Sequence, residues 1–255
     1  MPATPDKLER DHTPPAIRRR LSGANDHSYL GEFVLGAVDG TVTTFAVVAG
    51  VAGAGLEGVK IAAVGGSVAL VLGLANLVAD GFSMAVGNYL STKAKRDVIA
   101  RIRREEERHI EIVPEGEREE IRQIFASKDF AEPVLSEIVE VITQDRRRWV
   151  DTMLTEEYGL PLSTPSPVRS GVSTFAAFVV AGFVPLIPFC FPGGLQPQTA
   201  LAISCAATAL TFFGIGMAKG KVVHNSVFWS GVETLLIGGA AATLAFIVGF
   251  AFRAS

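Results

Sequence analysis

The sequence predicts an all-α membrane protein with five transmembrane helices and a three-helix cytoplasmic insertion between the second and third. Three observations lead there. Five apolar stretches, roughly 33–56, 61–90, 172–191, 199–218 and 228–252, each reach the ~20 residues that a helix needs to cross a bilayer. Charge is segregated: residues 92–170 hold 14 of the 23 Lys/Arg and 17 of the 26 Asp/Glu. A soluble domain spreads its charges, so this pattern describes membrane spans with one polar insertion. Finally, a five-span arrangement puts 21 basic residues on one side of the membrane and only Lys60 and Arg253 on the other. The side rich in Lys and Arg is the cytoplasmic one.

The expected organisation is therefore a cytoplasmic tail (1–31), two transmembrane helices (32–91), a cytoplasmic helical domain (92–170) and three further transmembrane helices (171–255). The C-terminus falls outside. The tail is polar and contains prolines, so it is not expected to be a secretory signal peptide. A bacterial cytoplasmic membrane is the expected location. The net charge of −3 comes with no basic face, so no nucleic-acid partner is expected. Cys190 and Cys205 fall in or near apolar spans without a C-x-x-C pair and read as small buried hydrophobes, not a disulfide.

The first span, GEFVLGAVDGTVTTFAVVAGVAGAGL, carries Gly36 and Gly40 in a G-x-x-x-G and Ala49 with Gly53 at the same spacing. Small residues four apart let helix backbones approach closely. Asp39 lies beside that seam, where its carboxylate serves either packing or a polar path. An ionised side chain at bilayer depth costs ~2.5–3.5 kcal/mol on insertion scales and usually faces water, a partner or an ion.

The second span carries Asn76, Asp80, Met84 and Asn88 every four residues, which places them on one helix face. Oxygen donors and a thioether together suit a first-row transition metal better than Na⁺ or Mg²⁺. Met84 taken singly also reads as a gap filler. The third span contains Pro185 and Pro188 and should be kinked or partly broken. Glu233, near the start of the fifth, suits the membrane interface and the helix N-terminus, and Lys219 with Lys221 read as topological anchors.

No Gly or Pro separates the second span from STKAKRDVIARIRREEERHIEIV, so that helix should run on to Pro114. A second helix fits PEGEREEIRQIFA, and a third fits 133–158, stopped by Gly159 and Pro161. The acidic residues of this insertion have two readings. Pairs such as Arg101/Glu105 at i,i+4 are what a solvated helix displays. Yet Glu106 with His109, Glu117 with Glu120, and Met153 with Glu157 each share a helix face. Carboxylates, an imidazole and a thioether converging from three helices would bind Fe²⁺, Mn²⁺, Co²⁺ or Zn²⁺.

Four motifs in order, DGTVTTFAVVAG (39–50), ADGFSMAVGNYLS (79–91), PEGEREE (114–120) and WVDTMLTEEYGL (149–160), closely resemble the vacuolar iron transporter family, including its bacterial members. VPLIP and LTFFGIGMAKGK extend the resemblance from about residue 31 to the C-terminus. It implies a five-span homodimer in the lipid bilayer, with the ion path at the dimer interface and proton-coupled export of Fe²⁺ and similar ions. It implies that Asp39 and Met84 line the path, and that Glu106, His109, Glu117, Glu120, Met153 and Glu157 form a metal-collecting cluster. No prosthetic group is implied; the metal is cargo. The chain departs from the family pattern in having Asn76 where a well-known member has Glu, His109 for a cluster Glu, and Leu154 for a Met. The loss of a carboxylate at Asn76 directs attention to Asp80 as a proton carrier.

Two rivals compete with a transporter. A membrane phospholipid-synthesising transferase also begins a motif with Asp-Gly, but TVTTFAVVAG supplies neither the Arg nor the further Asp residues that such a motif needs. No enzyme is therefore expected. A membrane-anchored metal sensor or buffer would use the polar helices alone, leaving the intramembrane carboxylates without a task.

Overall fold

The computed structural model describes residues 9–10, 12–23, 28–56, 60–61, 66–191, 195–223 and 225–253. The described chain is helical apart from a two-residue antiparallel bridge, in which Lys60 faces Ser67 and Ile61 faces Gly66. The helices are α1 (Pro14–Gly23), α2 (Leu30–Gly53), α3 (Val68–Ile112), α4 (Pro114–Ala126), α5 (Val134–Thr143), α6 (Arg146–Glu156), α7 (Pro167–Phe183), α8 (Pro197–Val222) and α9 (Val227–Arg253), with a 3₁₀ segment at Val184–Cys190. Five of them are long and apolar enough to cross a membrane: α2, the start of α3, α7 with its 3₁₀ continuation, α8 and α9. The chain divides into two compact units, one comprising Met1–Ser28 and Lys93–Pro165, the other Tyr29–Thr92 and Ser166–Ser255.

In the apolar unit, close backbone approach is written into glycine. A Cβ on Gly36 would stand 2.3 Å from the Thr174 carbonyl oxygen, and one on Gly40 the same distance from that of Phe178. The first small-residue seam therefore fits α2 against α7. The second turns toward α9, where a Cβ on Gly53 would meet the Phe246 carbonyl and one on Gly249 the Gly50 carbonyl. Val48 of α2, Leu77 of α3, Phe178 of α7 and Leu186 of the 3₁₀ segment belong to one apolar core.

The third span breaks where its prolines predict. The α-helix gives way to 3₁₀ turns from Val184, with Pro188 inside them. The Ser204 hydroxyl donates to the Pro185 carbonyl at 2.7 Å, satisfying an oxygen that a regular helix would have paired.

Two boundaries differ from expectation. The second span begins at Val68 rather than 61, because Lys60–Ile61 and Gly66–Ser67 pair as extended backbone. Apolar composition marks membrane depth but does not by itself choose between extended and helical backbone. From Val68 the helix runs without a break to Ile112, and Pro114 opens α4.

The single helix expected over 133–158 is two helices, α5 and α6, so four helical segments rather than three build the polar insertion. The break is made by Asp145. It leaves helical geometry (φ −120°, ψ 115°) and its carboxylate accepts the Arg148 amide, capping α6.

α6 has two apolar faces. Trp149 and Met153 join Ile121, Val139 and Ile142 in one core, while Val150 and Leu154 pack with Ile102 in another. An Arg103–Asp151 ion pair at 2.6 Å ties α3 to α6, and the Arg118 guanidinium lies over the Trp149 ring.

Candidate metal-collecting site

The polar unit brings together side chains that the sequence scatters over more than fifty positions. Glu106 and His109 stand one turn apart on α3, and Glu117 sits at the start of α4 just beyond the Pro114 break. His109 Nδ1 lies 3.6 Å from Glu106 Oε1 and 3.5 Å from Glu117 Oε1. Two ligands held ~2.1 Å from one ion at a tetrahedral angle are about 3.4 Å apart, so these spacings suit a shared divalent cation. One potential ligand atom from each of the three residues falls within 4.8 Å of the others.

Burial separates this arrangement from an ordinary acidic surface. Glu106 and Glu117 are only 1% and 3% exposed. The Oε2 atoms of both are buried with no hydrogen-bond partner among the described residues. A buried carboxylate oxygen without a donor is costly, and a cation relieves that cost. His109 is half-exposed and opens the group to solvent.

The electrostatics extend the cluster. Burial first, then the negative charges of Glu120, Glu106 and Glu157, push the Glu117 carboxyl up to about 7. Glu157 is also raised, by burial and then by Glu106 and Glu120. Four carboxylates therefore share one field, and His109 partly offsets it at Glu157. Four predicted carboxylates and the predicted imidazole are thus within mutual electrostatic reach. Met153, fully buried, packs in the apolar core one turn before Glu157, and the Glu157 amide bonds to its carbonyl at 3.0 Å.

Sequence reasoning missed Tyr158. Its hydroxyl donates to Glu106 Oε1 at 3.0 Å. Burial, that hydrogen bond and the nearby carboxylates raise its ionisation well above the ordinary value, so it remains a donor. It stands next to Glu157 in TEEYGL, where an aromatic residue after a helix is ordinary.

In the apolar unit the four-residue stripe of α3 divides by role. Asn76 donates to the Thr43 and Thr44 hydroxyls on α2, and Asn88 donates to the Thr174 hydroxyl at 2.6 Å and the Ser170 carbonyl on α7. Both amides lash span two to its neighbours. Met84 is partly buried against the core that contains Phe178 and Leu77. Asp80 is exposed on the chain, among exposed Val78 and Phe82. Asp39 is half-buried on α2. Glu233 pairs with Lys219 at 3.4 Å, both exposed.

Comparison with known proteins gives a consistent result. The sequence profile of the VIT family matches residues 30–250. A vacuolar iron transporter of Toxoplasma gondii is 33% identical over 229 residues, 87% of this chain and 73% of that protein. Vacuolar iron transporter 1 of Arabidopsis thaliana is 31% identical over 255 residues, 96% of this chain and 97% of its own length. A vacuolar iron transporter of Plasmodium falciparum is 25% identical over 236 residues, 89% of this chain and 84% of that protein.

Proposed function

We propose, from the premise that this chain belongs to the VIT family, that it is a multi-pass membrane transporter of iron, exporting Fe²⁺ from the cytosol in exchange for protons. The observation that carries the reading is the Glu106–His109–Glu117 group, with two buried carboxylate oxygens left unpartnered beside a solvent-facing imidazole. Such a donor set collects a divalent ion from water. Glu120 and Glu157 add negative charge around it, and Met153 adds a soft sulfur within one turn of Glu157. The mixture of oxygen, nitrogen and sulfur donors extends the range to Mn²⁺, Co²⁺ and Zn²⁺.

The ion then passes Met84 and Asp39, with Asp80 as the companion carboxylate and proton carrier. Asn76 and Asn88 line and brace the path. Two copies form a homodimer whose interface contains that path. The exposure of Asp80 on an apolar helix supports this, because a carboxylate facing lipid costs a few kcal/mol unless a partner or water covers it. The N-terminal tail (1–31), ahead of the spans in 32–91, and the polar domain (92–170), between them and those in 171–255, face the cytosol, as the Lys/Arg bias supports. The membrane is vacuolar in a eukaryote and the cytoplasmic membrane in a bacterium.

Flux through reconstituted vesicles tests the reading. Asp39→Asn or Met84→Ala should abolish quenching of an enclosed Fe²⁺-sensitive dye while the protein remains folded. Undiminished quenching by both variants excludes the path. Metal binding without any wild-type flux, with a proton gradient imposed, favours the sensor or buffer.

A further inference from the structure

The polar cluster contains one group that is neither an acid nor an expected ligand, and its backbone is unusually well fixed. α6 ends at Glu156, and the chain leaves it through Tyr158 and Gly159. Gly159 adopts φ +63°, the left-handed geometry that suits a residue without a Cβ. On one side the Tyr158 amide bonds to the Met153 carbonyl at 3.4 Å; on the other the Leu160 amide bonds to the Leu154 carbonyl at 2.8 Å. Leu160 also packs against the Ile102, Val150 and Leu154 cluster. The turn therefore presents the Tyr158 side chain in a set position, although the residue is 40% exposed.

That position brings the hydroxyl to Glu106 Oε1, the oxygen that also lies 3.6 Å from His109 Nδ1. The terminal torsion of a glutamate is broad, so a buried carboxylate among other carboxylates has no intrinsic reason to keep one orientation. One hydrogen bond to Oε1 supplies it. A carboxylate oxygen has two lone pairs, so Tyr158 can hold one and leave the other for a cation. Oε2 has no partner among the described residues.

We infer that Tyr158 is a positioning residue, whose hydroxyl holds Glu106 in the orientation in which it shares a divalent cation with His109 and Glu117. This rests on the metal-collecting reading of the cluster and deepens it. Groups that orient a ligand from behind typically change metal affinity by about 10- to 100-fold when removed.

Tyr158→Phe removes the oxygen and keeps the ring, and Co²⁺ titration of the purified full-length chain reads the result. The expected outcome is a Co²⁺ Kd raised by about 10- to 100-fold and an altered visible Co²⁺ band, with little change in thermal unfolding. Vesicle uptake of Fe²⁺ should show a raised KM with kcat unchanged. In a Glu106→Gln background, Tyr158→Phe should have no further effect. Wild-type affinity and spectrum in Tyr158→Phe, alongside lost binding in Glu106→Gln, would overturn the positioning role and leave the metal site standing. Wild-type affinity in Glu106→Gln would overturn the reading of the cluster and this inference with it. Failure of Tyr158→Phe to fold would also overturn it, since a positioning group is not required for folding.

Discussion

Lowering the pH from 8 to 6 should weaken metal binding by the polar cluster about tenfold through Glu117 alone. Its carboxyl is pushed up to about 7 by burial and by Glu120, Glu106 and Glu157. Only the carboxylate can ligate, and that form falls from about 90% at pH 8 to about 10% at pH 6 for a group titrating near 7. With the ordinary value of 4.5 the same pH step would change almost nothing.

The same shift sets a sign for stability. A raised carboxyl means that the folded protein holds its proton more tightly than the unfolded chain. Between 4.5 and about 7, the metal-free protein therefore loses stability as pH rises. Bound metal opposes that loss above the window. Calorimetric Co²⁺ titration at pH 6, 7 and 8, with thermal unfolding of metal-free protein in parallel, measures both effects. Glu117→Gln should bind more weakly and show a shallower dependence. A flat wild-type profile, or a slope unchanged in Glu117→Gln, refutes the reasoning.

Four substitutions test the packing. Gly40→Ala forces a Cβ to within 2.3 Å of the Phe178 carbonyl oxygen, so thermal unfolding in detergent should show a loss of about 1–3 kcal/mol. Gly214→Ala, with nothing within 4 Å, should stay near wild type. Met153→Leu conserves volume in a fully buried site and should cost less than about 1.5 kcal/mol; parallel titrations should nonetheless show preference shifting from Co²⁺ toward Mn²⁺. An unchanged ratio assigns that sulfur to packing alone. Arg103→Ala removes the half-buried 2.6 Å pair with Asp151 and should lower thermal stability by about 1 kcal/mol without altering Co²⁺ affinity.

The spans were legible because bilayer thickness imposes a length that composition alone can meet, and the 3₁₀ break was legible because proline imposes it. The start of α3 was not, since an apolar run reads alike whether extended or helical. The break between α5 and α6 was hidden for a different reason. It contains neither Gly nor Pro, and Asp145 in a charged stretch looks like a solvated acid until its carboxylate is seen on the Arg148 amide. Within the site, Glu106 and His109 were legible as one helix face. Glu117 and Glu157 could be joined to them only by resemblance, because spacing along the chain does not fix how α4 and α6 meet α3. Tyr158 carried no sequence signal of its own: an aromatic residue after a helix is ordinary, and its role lies in one hydroxyl contact across 52 positions.

The polar groups of the two units meet opposite fates, and the contrast bears on where an ion would pause. In the apolar unit the amides of Asn76 and Asn88 find hydroxyl and carbonyl partners within the chain. These bonds stabilise helix contacts through the amide N–H groups, and a passing ion would be met by the amide oxygens. Asp80 is exposed, so its energetic cost falls on whatever surrounds it. In the polar unit the reverse holds. Water is close by, yet Glu106 and Glu117 are buried with an oxygen each left over, beside further carboxylates that repel them. Leaving such groups unpartnered weakens the metal-free fold, whereas placing them on an exposed face would have avoided the penalty altogether. A positive ion offsets both the burial and the repulsion in one step, so stability and metal capture become linked at Glu117. Protonation of that same carboxyl provides the competing way to relieve the strain, which is why the affinity of the cluster should follow pH near neutrality.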